Sequence, residues 1–141
     1  LLWQTLPCQW PLIWSVWMTD NVQEQRIIIE MGTGNDLHGM DYTRACARAI
    51  EDAFRHSSLP LFGALEMSHD VMRVQVTVGV QEPGKVDVDT LISKLPRGRA
   101  EVTAVFGGMN VVAENGSDTI VIAQAAVEAF LPQQKGWKLK G

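Results

Sequence analysis

The most constraining feature of the sequence is a glycine-rich segment between an apolar run and an amphipathic helical pattern. Residues 26–31 (RIIIEM) are almost continuously apolar, and residues 32–40 (GTGNDLHGM) contain three glycines. In residues 41–56 (DYTRACARAIEDAFRH), apolar side chains recur at three- and four-residue steps behind Asp41, a good helix cap. Because an unbroken apolar run is typical of a strand covered on both faces, we expect the first strand to be central in its sheet.

The rest of the chain predicts further strands and one more helix. Residues 71–80 and 99–106 alternate apolar with polar side chains, and residues 119–123 (TIVIA) predict a fourth strand. Residues 86–95 have one apolar helical face, and residues 124–131 favour a helix. The predicted order is β-α-β-α-β-β, which is an α+β two-layer sandwich with two helices on one face of a mixed four-stranded sheet.

The first 17 residues differ in composition from the rest of the chain. They contain four of the five tryptophans and no Asp, Glu, Lys or Arg. They lack the basic start of a secretory signal, and two prolines interrupt an apolar run too short to span a bilayer. Since Met18 resembles a natural start, we interpret residues 1–17 as a non-native or mis-annotated leader and residues 18–141 as a single domain. The alternative is a native arm that packs its tryptophans on a partner subunit.

Charge and cysteine content narrow the classes of partner. A net charge of −4 and the lack of a basic aromatic patch argue against nucleic-acid binding, and nothing predicts a membrane partner. Without the leader one cysteine, Cys46, is left, so a cytoplasmic location is expected.

Two helices cover only one sheet face, whereas the first strand is expected to need cover on both. We therefore expect a closed homo-oligomer.

The glycine-rich segment is also the default functional site, because main-chain amides and a helix N-terminus converge where a strand leads into a helix. Gly32, Gly34 and Gly39 are expected to let a ligand approach the backbone closely. Asp36 and His38 offer a carboxylate and an imidazole for acid–base chemistry. The spacing of the glycines does not fit the dinucleotide-binding fingerprint, and the segment has no lysine, which a phosphate-binding P-loop requires.

Other residues extend this candidate site. His56 is a third candidate catalytic residue, or else a cap at the helix end. Arg73 is a candidate binder of a carboxylate or phosphate, or else a solvated surface residue. A metal ion, if bound, would use Asp36 and His38 with ligands brought in from elsewhere, such as His69. No cofactor is indicated, and the simplest alternative is a tight turn in which Asp36 caps backbone amides.

The motif resembles that of a known family. Residues Gly32, Gly34, Asp36, His38 and Gly39 match the GxGxDxHG signature of short conserved hypothetical proteins of bacteria and plants, and the resemblance extends from about residue 27 to residue 130. That family has no assigned reaction, so the resemblance implies a preserved site without naming its chemistry.

The element order is also similar to the chorismate-mutase-like fold. Proteins of that fold commonly form trimers with active sites between subunits, so the resemblance implies a trimer or a multiple of it. The sequence therefore predicts a homo-oligomer that acts on a small polar molecule near a subunit interface, with His38 moving protons and Asp36 orienting it. The alternative is a non-catalytic oligomer that binds a ligand or only assembles.

Overall fold

The computed structural model describes residues 23–56, 71–95, 99–133 and 136. The interpretation of residues 1–17 as a leader and the role considered for His69 lie outside these residues. The described chain is an α+β two-layer sandwich, as predicted, with two α-helices on one face of a mixed sheet. No helix in the described ranges is long and apolar enough to cross a membrane.

The structure gives the elements the following bounds. In chain order they are β1 (Glu24–Asp36), α1 (Tyr42–His56), β2 (Arg73–Val80), a 3-10 turn (Pro83–Lys85), α2 (Val88–Ser93), β3 (Arg99–Phe106), β4 (Met109–Val112) and β5 (Thr119–Pro132). The predictions of α1, α2, β2 and β3 are confirmed, because each depends on apolar spacing within its own segment.

The central strand of the sheet is β5, and the strand order is β1-β5-β2-β3. β5 runs antiparallel to both β1 and β2, whereas β2 and β3 are parallel. β4 pairs with β5 beyond the end of β2, so the chain must cross from the β3 position to the β5 edge. Gly108 makes this crossing at φ +59°, where a Cβ would overlap the carbonyl oxygens of Gly79 and Ile122.

Two expectations about the sheet were wrong. β1 lies at the edge of the sheet, and Ile29 and Met31 are 47% and 68% exposed, so no described element covers its second face. Residues 124–131 form part of β5 instead of a helix. There Ala125, Val127 and Ala129 alternate with outward-facing residues, and pairing with β1 and β2 overrides the helix preference of this segment.

The number of strands also differs from the prediction. The described residues form five strands, because β4 was not predicted. All four residues of β4 are exposed, so the short segment MNVV has no alternating burial pattern. Its position comes from pairing with residues 119–122 of β5.

The apolar core lies between the sheet and α1. The helix buries the apolar stripe that its spacing predicted, and β2 contributes the alternating residues of its inner face. The inner-face residues of these two elements are Tyr42, Ala45, Cys46, Ala49, Ile50, Ala53, Val74, Val76, Val78 and Val80. We call the opposite side of the sheet, which no described helix covers, the open face; it includes Met31, Ala126, Thr77 and Val105.

Gly32 and Gly34 lie in β1 and not in a loop as expected. A Cβ on either glycine would come closer than 3.0 Å to the backbone of α1, so the helix lies directly on the strand. Because the helix lies so close to the strand, side chains of α1 reach the edge of β1 that does not pair with β5. Asp52 Oδ2 accepts a hydrogen bond from the Thr33 amide at 2.9 Å, and Arg48 Nη1 donates to the Asn35 carbonyl at 2.6 Å. The helix thereby protects part of an exposed strand edge.

Candidate functional site

The candidate site lies where β1 ends and α1 and β5 begin. Only residues 37–41 join the last residue of β1 to the first residue of α1. Gly39 and Met40 have φ values of +91° and +51°, and a left-handed conformation is uncommon for a residue with a side chain. Such a conformation persists only where the surroundings hold it in place. Here two carboxylates, those of Asp36 and Asp118, hold the loop.

Asp36 supports the loop from inside the protein. It is 2% exposed, and it is the buried charged residue of the described chain. Its Oδ2 accepts a hydrogen bond from the Asp41 amide at 3.0 Å, and its Oδ1 lies 3.8 Å from Nη1 of both Arg44 and Arg48. A buried carboxylate is costly unless it is paired, and the two guanidinium groups provide that pairing.

His38 lies on the outside of the same loop. Its side chain is 85% exposed, and its Nδ1 lies 2.7 Å from Asp118 Oδ2. Asp118 Oδ1 also accepts from the Thr119 amide at 2.9 Å. The hydrogen bond from His38 is the main reason that the pKa of Asp118 lies below its usual value, and the Thr119 amide adds to the effect. Asp118 is therefore a carboxylate that holds one ring nitrogen of His38 and leaves Nε2 available.

The first turn of α1 is fixed on both sides. Asp41 caps the helix as predicted, since its Oδ1 accepts from the Arg44 amide at 2.9 Å. Tyr42 is 2% exposed, and its hydroxyl donates to Glu82 Oε2 and accepts from Asn110 Nδ2, each at 2.8 Å. These bonds tie the start of α1 to the segment after β2 and to β4. The loop that carries His38 is thus attached to a rigid support.

Asp36 and His38 share this loop, as the sequence suggests, but they play different parts in it. The carboxylate beside the imidazole belongs to Asp118, whereas the Asp36 carboxylate faces Asp41 and two arginines. The geometry therefore places Asp118, and not Asp36, beside the imidazole. Of the three glycines proposed to bind a ligand, Gly39 lies in the loop, whereas Gly32 and Gly34 lie in β1 against α1.

The structure does not bring His56 or Arg73 to this loop. His56 ends α1, about 21 Å from its first residue at 1.5 Å per residue, and its Nε2 lies 3.5 Å from Asp52 Oδ1. Arg73 lies on the open face, where its Nε is 2.7 Å from Glu24 Oε2 and its guanidinium carbon is 4.2 Å from the centroid of the Phe130 ring. These two residues have local structural partners instead.

Three residues of the site were missed as site residues by sequence reasoning: Asp118, Arg44 and Arg48. The two arginines were assigned only to the polar face of α1. Asp118 is 80 residues from His38, and no local motif joins them. The connection arises from the pairing of β1 with β5, which sets Asp36 opposite Val121.

Two further features complete the description. No three His, Cys, Asp or Glu side chains converge on a metal-binding arrangement within the described ranges. On the open face there is a cleft of about 530 Å³, whose lining includes Met31, Thr77, Val105, Phe106 and Gln124. The described lining of this cleft includes none of residues 37–41.

Comparison with known proteins gives a family and a structural neighbour. Residues 26–129 match the model of a family described as "Conserved hypothetical protein (Lin0512_fam)". A similar solved structure is that of an FtsZ-like protein of unknown function from Nostoc punctiforme PCC 73102, which is 36% identical, covers 78% of this chain and 98% of its own, and has a TM-score of 0.70. The comparison with curated proteins found no match. Because the family model spans both layers of the sandwich, the chain belongs to the Lin0512_fam family of conserved hypothetical proteins.

Proposed function

We propose that His38 is a general acid–base residue in a site for a small polar molecule, and that Asp118 orients it. One observation carries this proposal: Nδ1 of an 85% exposed imidazole lies 2.7 Å from a carboxylate oxygen. A carboxylate on Nδ1 favours the tautomer in which Nε2 accepts a proton, and it stabilises the imidazolium that forms. The supported reaction class is proton transfer, as in hydrolysis, isomerisation or deamination of a small substrate.

The non-catalytic alternative also has a specific observation in its favour. Asp36 Oδ2 accepts from the Asp41 amide, as in a tight structural turn, and the contact between His38 and Asp118 joins the end of β1 to the start of β5. In this alternative the pair only closes a corner of the sandwich. The two functions differ in what removal of the imidazole changes: proton transfer in the first case, and stability or assembly in the second.

Hydrolysis of p-nitrophenyl acetate, a generic ester probe, tests the proposal. General acid–base groups contribute about 10²- to 10⁴-fold to a rate, so we expect His38→Ala to lower any hydrolysis above the buffer rate by at least about tenfold. We expect a smaller loss for Asp118→Asn. His56→Ala is the matched control, because His56 also lies beside a carboxylate and is 61% exposed.

Urea unfolding of the same variants separates the two functions. If His38→Ala folds like the wild type and loses the esterase rate, the acid–base proposal is supported. If the wild type hydrolyses the ester no faster than His38→Ala or the buffer, the acid–base proposal is overturned. A large loss of stability or of assembly in His38→Ala then favours the structural alternative.

We also propose that the open face packs against other copies of the chain, as a trimer or a multiple of it. Met31 and Phe106 are 68% and 75% exposed beside the cleft, and an exposed apolar patch of this kind often marks an interface. Light scattering tests this: we expect an oligomeric mass for the wild type and a smaller one for Met31→Lys. Glu51→Lys, on the exposed side of α1, is the control, and a monomeric wild type would refute the proposal.

A further inference from the structure

We propose that the site binds a small oxyanion, either a carboxylate or a phosphate group, and that Arg44 is the residue that holds it. This inference rests on the proposed function of His38 and names the substrate class for that site. It is carried by the different environments of the two arginines that face Asp36, by the engagement of the nearby carboxylates, and by the position of His38 in the same loop.

Arg48 is engaged by the protein, whereas the hydrogen-bond donors of the Arg44 side chain are available. Arg48 Nη1 donates to the Asn35 carbonyl at 2.6 Å, which fixes that guanidinium on the edge of β1. The contact found for the Arg44 guanidinium in the described chain is the one to Asp36 Oδ1, at 3.8 Å. That distance exceeds the usual hydrogen-bond range of about 2.7–3.2 Å. The Arg44 side chain is also 61% exposed, so a dissolved ligand can reach its donors.

The carboxylates near Arg44 are already engaged by other groups of the loop. The buried Asp36 carboxylate faces two guanidinium groups and accepts from the Asp41 amide, and the Asp41 carboxylate accepts from the Arg44 amide. The nearby carboxylate of Asp118 is already engaged by His38 and the Thr119 amide. The Asp36 carboxylate attracts the Arg44 guanidinium towards the loop by charge, without accepting a hydrogen bond from it. Arg44 is therefore held near a binding position before any ligand arrives.

The position of His38 limits the size of the ligand. His38 lies two residues beyond Asp36, so their Cα atoms are at most about 7 Å apart. An oxyanion held by Arg44 would then place neighbouring atoms of the same small molecule within reach of His38 Nε2. The planar guanidinium binds carboxylate and phosphate through two parallel hydrogen bonds, which makes both groups suitable anchors.

Amide chemical-shift titrations by NMR test this inference, with acetate and inorganic phosphate as separate probes at constant ionic strength. We expect saturable shifts at residues 37–45 of the wild type. Losing a charge-assisted bond should weaken binding by about tenfold or more in Arg44→Ala. Arg44→Lys keeps the charge next to Asp36 but lacks the planar fork, and we expect a smaller loss. Arg55→Ala removes an exposed arginine from the last turn of the same helix and should bind like the wild type.

The outcomes separate this inference from the proposed function. If Arg44→Ala binds both probes as tightly as the wild type, or if Arg55→Ala loses as much affinity, the inference is overturned. The probe that binds the wild type saturably, acetate or inorganic phosphate, identifies which oxyanion the site prefers. His38→Ala should keep anion binding while it loses the esterase rate. If it keeps the esterase rate instead, the proposed function fails, and the titration of the arginine variants still decides whether Arg44 binds an anion.

Discussion

Substituting Gly34 with alanine tests the direct packing of α1 on the backbone of β1. The added Cβ would lie well inside 3.0 Å of the Ala49 amide nitrogen and the Ala45 carbonyl oxygen, a separation that real Cβ atoms essentially never show. Both atoms belong to the helix backbone, so no side-chain rotation relieves the overlap. To restore ordinary contact at 3.4 Å or more, the helix must move away by about 1 Å.

The cost of this movement has two parts. Inserting a methyl group into a packed core costs about 1–3 kcal/mol, and the backbone contacts place this site at the upper end of that range. Moving α1 also stretches the hydrogen bonds that the Thr33 amide donates to Asp52 and that Arg48 donates to the Asn35 carbonyl, each contributing about 1 kcal/mol. We therefore expect Gly34→Ala to lower the free energy of unfolding by about 3–5 kcal/mol, out of a typical total of about 5–15 kcal/mol.

Urea unfolding followed by circular dichroism measures this loss. With a slope of about 2 kcal/mol per M, a loss of 3–5 kcal/mol lowers the urea midpoint by about 1.5–2.5 M. Gly84→Ala is the matched control, because a Cβ there meets nothing within 4 Å, and its stability should change by less than about 1 kcal/mol. A midpoint for Gly34→Ala that equals that of Gly84→Ala would refute the packing described above.

Three further predictions follow from the buried and paired groups. Burial raises the pKa of the Cys46 thiol to about 12, so it should react with a thiol reagent such as DTNB only after unfolding; fast labelling of the native protein would contradict this. The hydrogen bond from His38 lowers the pKa of Asp118 below its usual 3.8, so the pair stabilises the fold above pH 3.8 and this stability is lost as the pH falls. The urea midpoint of Asp118→Asn should therefore fall less below pH 4 than that of the wild type. An equal fall in the two proteins would contradict the pairing. Tyr42→Phe removes two hydrogen bonds at a buried position and should cost about 1–3 kcal/mol of unfolding free energy in urea, whereas a neutral effect would show that its hydroxyl does not support the site.

The sequence predicts the elements whose signals are local. α1 follows from the apolar spacing after Asp41, and that residue does cap the helix. The four valines of β2 alternate in the sequence as they do in the core. For such segments the residues that determine the structure lie within one or two turns or within one strand, so no knowledge of the rest of the chain is needed.

The errors arise where distant parts of the chain decide the structure. Gly32 and Gly34 suggest a loop, yet a strand against a helix also needs glycine, and their two-residue spacing is the signal for the strand. Residues 124–131 form a strand because β1 and β2 pair with them on both edges. Asp118 is likewise brought to His38 only by strand pairing, so the partner of the predicted histidine could not be read from its own neighbourhood.

The position of β5 has a consequence for how the protein is made. This strand is the last element of the described chain, yet it is the central strand of the sheet. Of the described strands, β1 leaves the ribosome first, and its strand partner is β5, about 95 residues later. Until Thr119–Pro132 has been synthesised, the edge of β1 that pairs with β5 has no strand partner among the described elements. The sheet of the described chain is therefore completed only when β5 emerges, and until then the contact of α1 protects only the opposite edge of β1, at Thr33 and Asn35.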